Sequence, residues 1–375
     1  MKRIPIVICL LLFLVLPTVS AHAAGIPEAQ AELEQAVGAD GLTRALPGEA
    51  RPFVEGLSPS AGRSGDLNRG LSNTLGQVSG RLGGLLREGV AGMLVILGVV
   101  LLCGIVGPLL EGAHRADDIV ILAGVLAVTA VTAGQAAGLL NAGRQAITDM
   151  DNLSKALFPS LAAAGAATGA PAASVARHMA TMLFSDVVIT LIARVCIPLV
   201  YAYVAAAAAG AALGQEQLMK IASFIKWALG GLLAVTLTLF CTYLTLSGAL
   251  AGSADALAVK SARLALSGGI PVVGSIVSDA AETVMVGAGL VKNAIGLFGL
   301  FALLGICLIP FLRVMIQYLL YKLMAAVVTP LVHSRMSRLF DMLSGAFGLI
   351  AGMTGASALL LLIALISIIT GAKTL

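Results

Sequence analysis

A chain of 375 residues with 59% apolar and only 11% charged side chains lies far from the roughly 45–50% apolar, roughly 25% charged composition of soluble domains, and its mean hydropathy of +1.00 reads as an integral membrane protein. The formal net charge of +4 comes from basic residues scattered singly among acidic ones, so no polybasic stripe marks nucleic acid as a partner, and the partner of the apolar surface is the lipid bilayer. The apolar runs are continuous and rich in Ala, Leu and Gly, which calls for spanning helices of about 20 residues and excludes the alternating short strands of a barrel.

Residues 1–23 have a basic start (Lys2, Arg3), an apolar run from Ile4 to about Leu16 and then Ala21-His22-Ala23, the pattern of a secretory signal peptide, with an uncleaved anchor helix as the competing reading. Residues 24–80 are punctuated by Gly, Ser and Pro and predict a small, loosely ordered extracytoplasmic region with one amphipathic stretch, PEAQAELEQAV. Residues 81–375 form the polytopic transmembrane domain. Apolar runs at 91–110, 119–140, 187–213, 227–250, 294–312, 314–332 and 346–370 are each long enough to cross, giving an all-α bundle of about seven transmembrane helices. Pro310 and Arg313 divide the run from Ala294 to Val332, as either a tight hairpin or one kinked helix with an amphipathic piece.

Two further segments, 156–172 and 264–292, are too polar or too broken by Pro and Gly for ordinary spans and read as re-entrant or interfacial pieces. They also suggest a duplication. Pro159 precedes Pro198 by 39 positions and Pro271 precedes Pro310 by the same 39, which delimits repeat units 142–250 and 254–371.

Charge inside such a chain is costly unless it is paired, faces water or snorkels. Asp186, Arg194, Lys260, Arg263, Asp279, Glu282, Lys292, Arg313 and Lys322 stand within or beside apolar segments. Lys260 and Arg263 are three apart on an amphipathic stretch, as are Asp279 and Glu282, so helices would put each pair on one side, with the two carboxylates near a returning Lys260 or Arg263. Arg194 lies deeper in its run and calls for an acidic partner or a cavity. Cys9, Cys103, Cys196, Cys241 and Cys307 fall in apolar segments without a C-x-x-C pair and read as free thiols. The four histidines are isolated, and the chain has no H-E-x-x-H, no P-loop and no nucleophile elbow, so neither catalytic residues, a metal nor a cofactor is expected, and the chain reads as no enzyme.

The stretch KSARLALSGGIPVVGSIVSDAAETVMVGAGLVKNAIG, followed by IPFLRV and YKLMAAVVTPL, resembles the stage III sporulation protein AE family of endospore-forming bacteria. The matching positions are Pro271, Gly274, Asp279, Lys292, Asn293 and Gly296, with Tyr321, Lys322 and Pro330. The resemblance implies a component of the channel or secretion complex that links mother cell and forespore after engulfment, in the mother-cell membrane surrounding the forespore. It implies as partners the other membrane proteins of that operon, their ATPase and, on the forespore side, stage II sporulation protein Q. A conduit or its platform would use Arg194, Lys260, Arg263, Pro271, Gly274, Asp279, Glu282, Lys292, Asn293 and Lys322 as pathway or docking positions. The alternatives are a stand-alone secondary transporter with a site between two repeats, and a scaffold that positions ring-forming partners.

Overall fold

The computed structural model describes residues 39–59, 65–109, 114–168, 171–269, 274–328 and 334–370. Among them every regular element is helical. The signal peptide, the amphipathic stretch at 27–37, Pro271 and Pro330 lie outside the described residues. Helix α1 is Ala39–Arg44 and a 3-10 turn follows at Arg51–Phe53. Then come α2 (Asp66–Leu109), α3 (His114–Ala167), α4 (Pro171–Leu191), a π-turn at Ile192–Cys196, α5 (Ile197–Leu213), α6 (Glu216–Gly269), α7 (Gly274–Val328) and α8 (Ser334–Thr370).

Six helical stretches among the described residues are long and apolar enough to cross a membrane: Asp66–Val106, Ile119–Ala167, Thr181–Leu213, Glu216–Leu246, Ala288–Val328 and Met336–Ser367. The count differs from the expected seven because residues 294–328 belong to one helix. Pro310 stands inside α7 without ending it, since neighbouring helices in a bundle tolerate the backbone group a proline frees. Arg313 ends nothing either, because it reaches Glu88 of α2. The two segments expected to be re-entrant are helical over most of their described residues. Residues 156–167 complete α3 with Pro159 inside it, while 264–269 and 274–292 close α6 and open α7.

Pro198 has a different local solution. It cannot supply the backbone N–H that a continuing helix needs, and the chain widens into the π-turn just before it, so α4 and α5 continue as one crossing. Helix α5 stops at Gly214, whose φ of 68° is left-handed and carries no Cβ penalty, and α6 starts two residues later.

Helix α8 is the axis of the bundle. It packs on α7, α3, α5, α6 and α4, and 72% of its apolar window is buried by protein, against 22% for α2 and α6 at the periphery. Phe340, Leu343, Phe347 and Leu365 along it are inaccessible to solvent. Six crossings, one for each of these described stretches, would put the start of α2 and the end of α8 on the same face of the bundle, where seven would put them on opposite faces. Helices α2 and α7 run parallel, since Gly70 faces Phe301 and Gly89 faces Leu320. At 1.5 Å per residue the 54 residues of α3 and of α6 and the 55 of α7 are each about 80 Å long, well beyond a hydrocarbon layer of about 30 Å.

Residues 39–59 are better ordered by packing than their composition implied. Leu42, Leu46, Ala50 and Phe53 are buried, and Gly305 of α7 makes room for them: a Cβ there would lie 2.9 Å from the Phe53 ring and 3.1 Å from Ala50 Cα. Helix α2 also begins at Asp66, well before the boundary expected at residue 81. Gly305→Leu should therefore overpack this contact at a cost of about 1–3 kcal/mol, releasing residues 39–59. Limited proteolysis of the detergent-solubilised protein should show faster cleavage in that segment with unchanged helical circular dichroism.

Candidate functional site

Polar side chains gather where α2, α3, α7 and α8 meet, inside otherwise apolar surfaces. The Tyr321 hydroxyl on α7 stands 2.8 Å from Thr132 Oγ1 on α3 and donates to Gln135 Oε1 at 3.0 Å. Gln317, one turn before Tyr321, donates from Nε2 to the same Gln135 oxygen at 2.7 Å. Thr132 Oγ1 also lies 2.7 Å from the Val128 carbonyl one turn back on its own helix. Gly92 of α2 completes the enclosure, because a Cβ there would fall 2.7 Å from Gln135 Nε2. The tyrosine ring packs on Phe347 and Phe340 of α8, with centroids 4.7 and 6.2 Å away. In a medium without competing water such interhelical bonds define which faces meet, although each contributes only about 0.6–1.7 kcal/mol.

Ion pairs flank this network. Arg313 Nη2 lies 2.7 Å from Glu88 Oε2, joining α7 to α2. Lys322 pairs with Asp341, joining α7 to α8, and Arg338 Nη1 lies 3.4 Å from Glu216 Oε1, joining α8 to α6. All six side chains are exposed, so their value is mainly register. Nearby, Tyr203 of α5 donates to the Met342 carbonyl at 2.6 Å.

A second polar cluster joins α3 to α4. Lys155 Nζ lies 2.6 Å from Asp151 Oδ2 and 3.5 Å from Asp186 Oδ1, and Ser185 donates to the other Asp151 oxygen at 2.8 Å. Asp151 is buried, and each of its two oxygens has a donor, Lys155 on one and Ser185 on the other. A shallow hollow beside it is lined by Ile147, Ser185, Val188, Ile189, Ser357, Leu360 and Leu361.

The residues singled out in the sequence divide into three groups. Lys292 is buried on α7, with Asn293 half-buried beside it. Lys322 is exposed and paired, and Arg194 is exposed in the middle of the π-turn. Lys260 and Arg263 belong to the helical end of α6, and Gly274, Asp279 and Glu282 to the helical start of α7. The two basic residues stand nine and six positions before the end of α6 and the two acidic ones five and eight positions after the start of α7. Gly296 is explained by packing, since a Cβ there would meet Ile369 of α8. The four described cysteines, Cys103, Cys196, Cys241 and Cys307, are free thiols.

Sequence reasoning missed Thr132, Gln135, Asp151, Lys155 and Gln317. The signal was available for Gln135 and Gln317: each is an amide inside a long apolar run, and such residues seek a partner on another helix.

Compared with known proteins, residues 70–372 match the family described as stage III sporulation protein AE. The stage III sporulation protein AE of Bacillus subtilis (strain 168) is 27% identical over 231 residues, an alignment that covers 62% of this chain and 58% of that relative. No solved structure matches.

Proposed function

The chain belongs to the stage III sporulation protein AE family and is a sporulation-related, multi-pass membrane protein, and we propose that it is a membrane component of the complex linking mother cell and forespore after engulfment. In this reading it sits in the mother-cell membrane around the forespore and supports forespore development. It acts there as a conduit element or the platform of one, with no catalytic step of its own. Its partners are the other membrane proteins of the stage III operon, their ATPase, and stage II sporulation protein Q across the intermembrane space. The observation that carries the proposal is the family match over residues 70–372, which takes in the six described apolar stretches apart from the first four residues of Asp66–Val106. Helices far longer than a bilayer is thick support it too, because their projecting parts offer surfaces to neighbours on either side of the membrane.

Cysteine accessibility across residues 264–296 tests the conduit, with native thiols replaced and labelling compared in the assembled complex and in the isolated protein. The expected result is a continuous set of positions labelled by a water-soluble reagent from both sides of the membrane, only in the complex. Labelling from one side alone, unchanged by partners, rejects a pathway through this segment and leaves the platform.

A further inference from the structure

Helices α4 and α5, continuous through the π-turn, expose a single stripe at three- to four-residue spacing. Val175, Met179, Leu183 and Val187 precede Arg194 on it and Tyr201 follows, and the five uncharged members are between 46 and 65% exposed. Exposed Thr190 lies on the stripe between Val187 and Arg194, and exposed Asp186, paired with Lys155, borders it, so the stripe is mainly apolar for about five turns before Arg194. Beyond the π-turn, α5 is Ala-rich and ends on exposed Leu213, so the cation sits mid-length on a face otherwise suited to lipid. Among the described residues the Arg194 guanidinium has no hydrogen-bond or ion-pair partner. It also stands at a π-turn, a local widening that costs regular hydrogen bonding and recurs at functional sites.

The described acids of the spanning helices do not answer it. Along the spanning helices, each described carboxylate already has a donor in the same chain. Asp66 has Arg69, Glu88 has Arg313, and Asp149 accepts from Gln145. Asp151 and Asp186 share Lys155, Glu216 has Arg338, and Asp341 has Lys322. Among the described residues of the spanning helices, a second copy would bring the same committed groups.

We infer that the α4–α5 face centred on Arg194 docks a transmembrane helix of a different membrane protein, one that carries an Asp or Glu at matching depth. The mainly apolar stripe supplies the helix-packing surface, and Arg194, unpaired among the described residues, supplies register, since a carboxylate at any other depth would stay unpaired in hydrocarbon. The inference rests on reading the chain as a member of an assembly, but not on any conduit through it.

The test places a photo-crosslinking amino acid at Val187 or at Tyr201 of the full-length chain in sporulating cells. Irradiation should yield one adduct with another membrane protein, and peptide mapping should locate the attachment in an apolar segment containing Asp or Glu. Adduct yield should persist in Arg194→Lys and fall by about tenfold or more in Arg194→Leu. Combining Arg194→Glu with reversal of the partner's acid to Arg should restore it, which guards against a variant that simply fails to fold. Three results overturn the inference: adducts with lipid alone, which would mean that Arg194 snorkels to headgroups; adducts of twice the chain's own mass; or a yield indifferent to residue 194. The accessibility experiment on residues 264–296 reads a different segment, so either test can fail without the other.

Discussion

Tyr321→Ala should destabilise the protein by about 3–5 kcal/mol, the range for removing a large, fully buried aromatic side chain, whereas Tyr321→Phe should cost only about 0.6–1.7 kcal/mol. Tyr321 is inaccessible to solvent and does two separable things. Its ring fills the space against Phe340 and Phe347, and its hydroxyl ties Thr132 and Gln135 of α3 to α7. The alanine variant loses both and opens a cavity in the α3–α7–α8 core. The phenylalanine variant keeps the ring, and Gln135 keeps its bond from Gln317, so only Thr132 must turn to its remaining contact at the Val128 carbonyl. Unfolding of the purified protein in detergent, followed by circular dichroism, gives both numbers on one scale. Equal losses in the two variants would mean that hydrogen bonding, and not packing, holds this junction.

The same junction shows what a single sequence reveals of such a fold. The positions of the membrane helices were legible because a run of apolar residues long enough to cross declares itself locally. The division at Pro310 was misleading, since the feature that makes proline a helix breaker, its missing N–H, can be absorbed by surrounding helices. Proline 198 and Pro310 look alike in sequence, yet one sits after a π-turn and the other in an unbroken helix. The polar network was invisible because its partners are between 182 and 189 positions apart, and no local pattern predicts which amide meets which hydroxyl. Arg194 falls between these cases. Its need for a partner follows from its place in an apolar run, but that the described part of its own chain supplies none is a fact of the tertiary structure.

The corner between α6 and α7 carries the last and largest functional expectation. Double reversal, Asp279→Lys with Glu282→Lys, should abolish formation of heat-resistant spores while leaving the protein inserted at normal abundance. Both helices continue through these positions, so Asp279 and Glu282 are three apart near the start of α7, and Lys260 and Arg263 three apart near the end of α6. Reversal leaves four basic residues where two acids and two bases stood, and like charges repel both one another and a basic partner surface. Adding Lys260→Glu and Arg263→Glu separates the two possibilities. Restored sporulation in the fourfold variant would mean that the charges serve each other across the helical hairpin and set its shape. Failure to restore, with the protein still abundant and inserted, would mean that the acidic pair addresses something outside the chain, as a docking surface or pathway lining must. Unimpaired sporulation in the double reversal itself would remove residues 279 and 282 from the functional site altogether. The readouts are spore counts after heating and immunoblots of the membrane fraction, and the contrast between the two- and fourfold variants carries the decision because both alter the same corner.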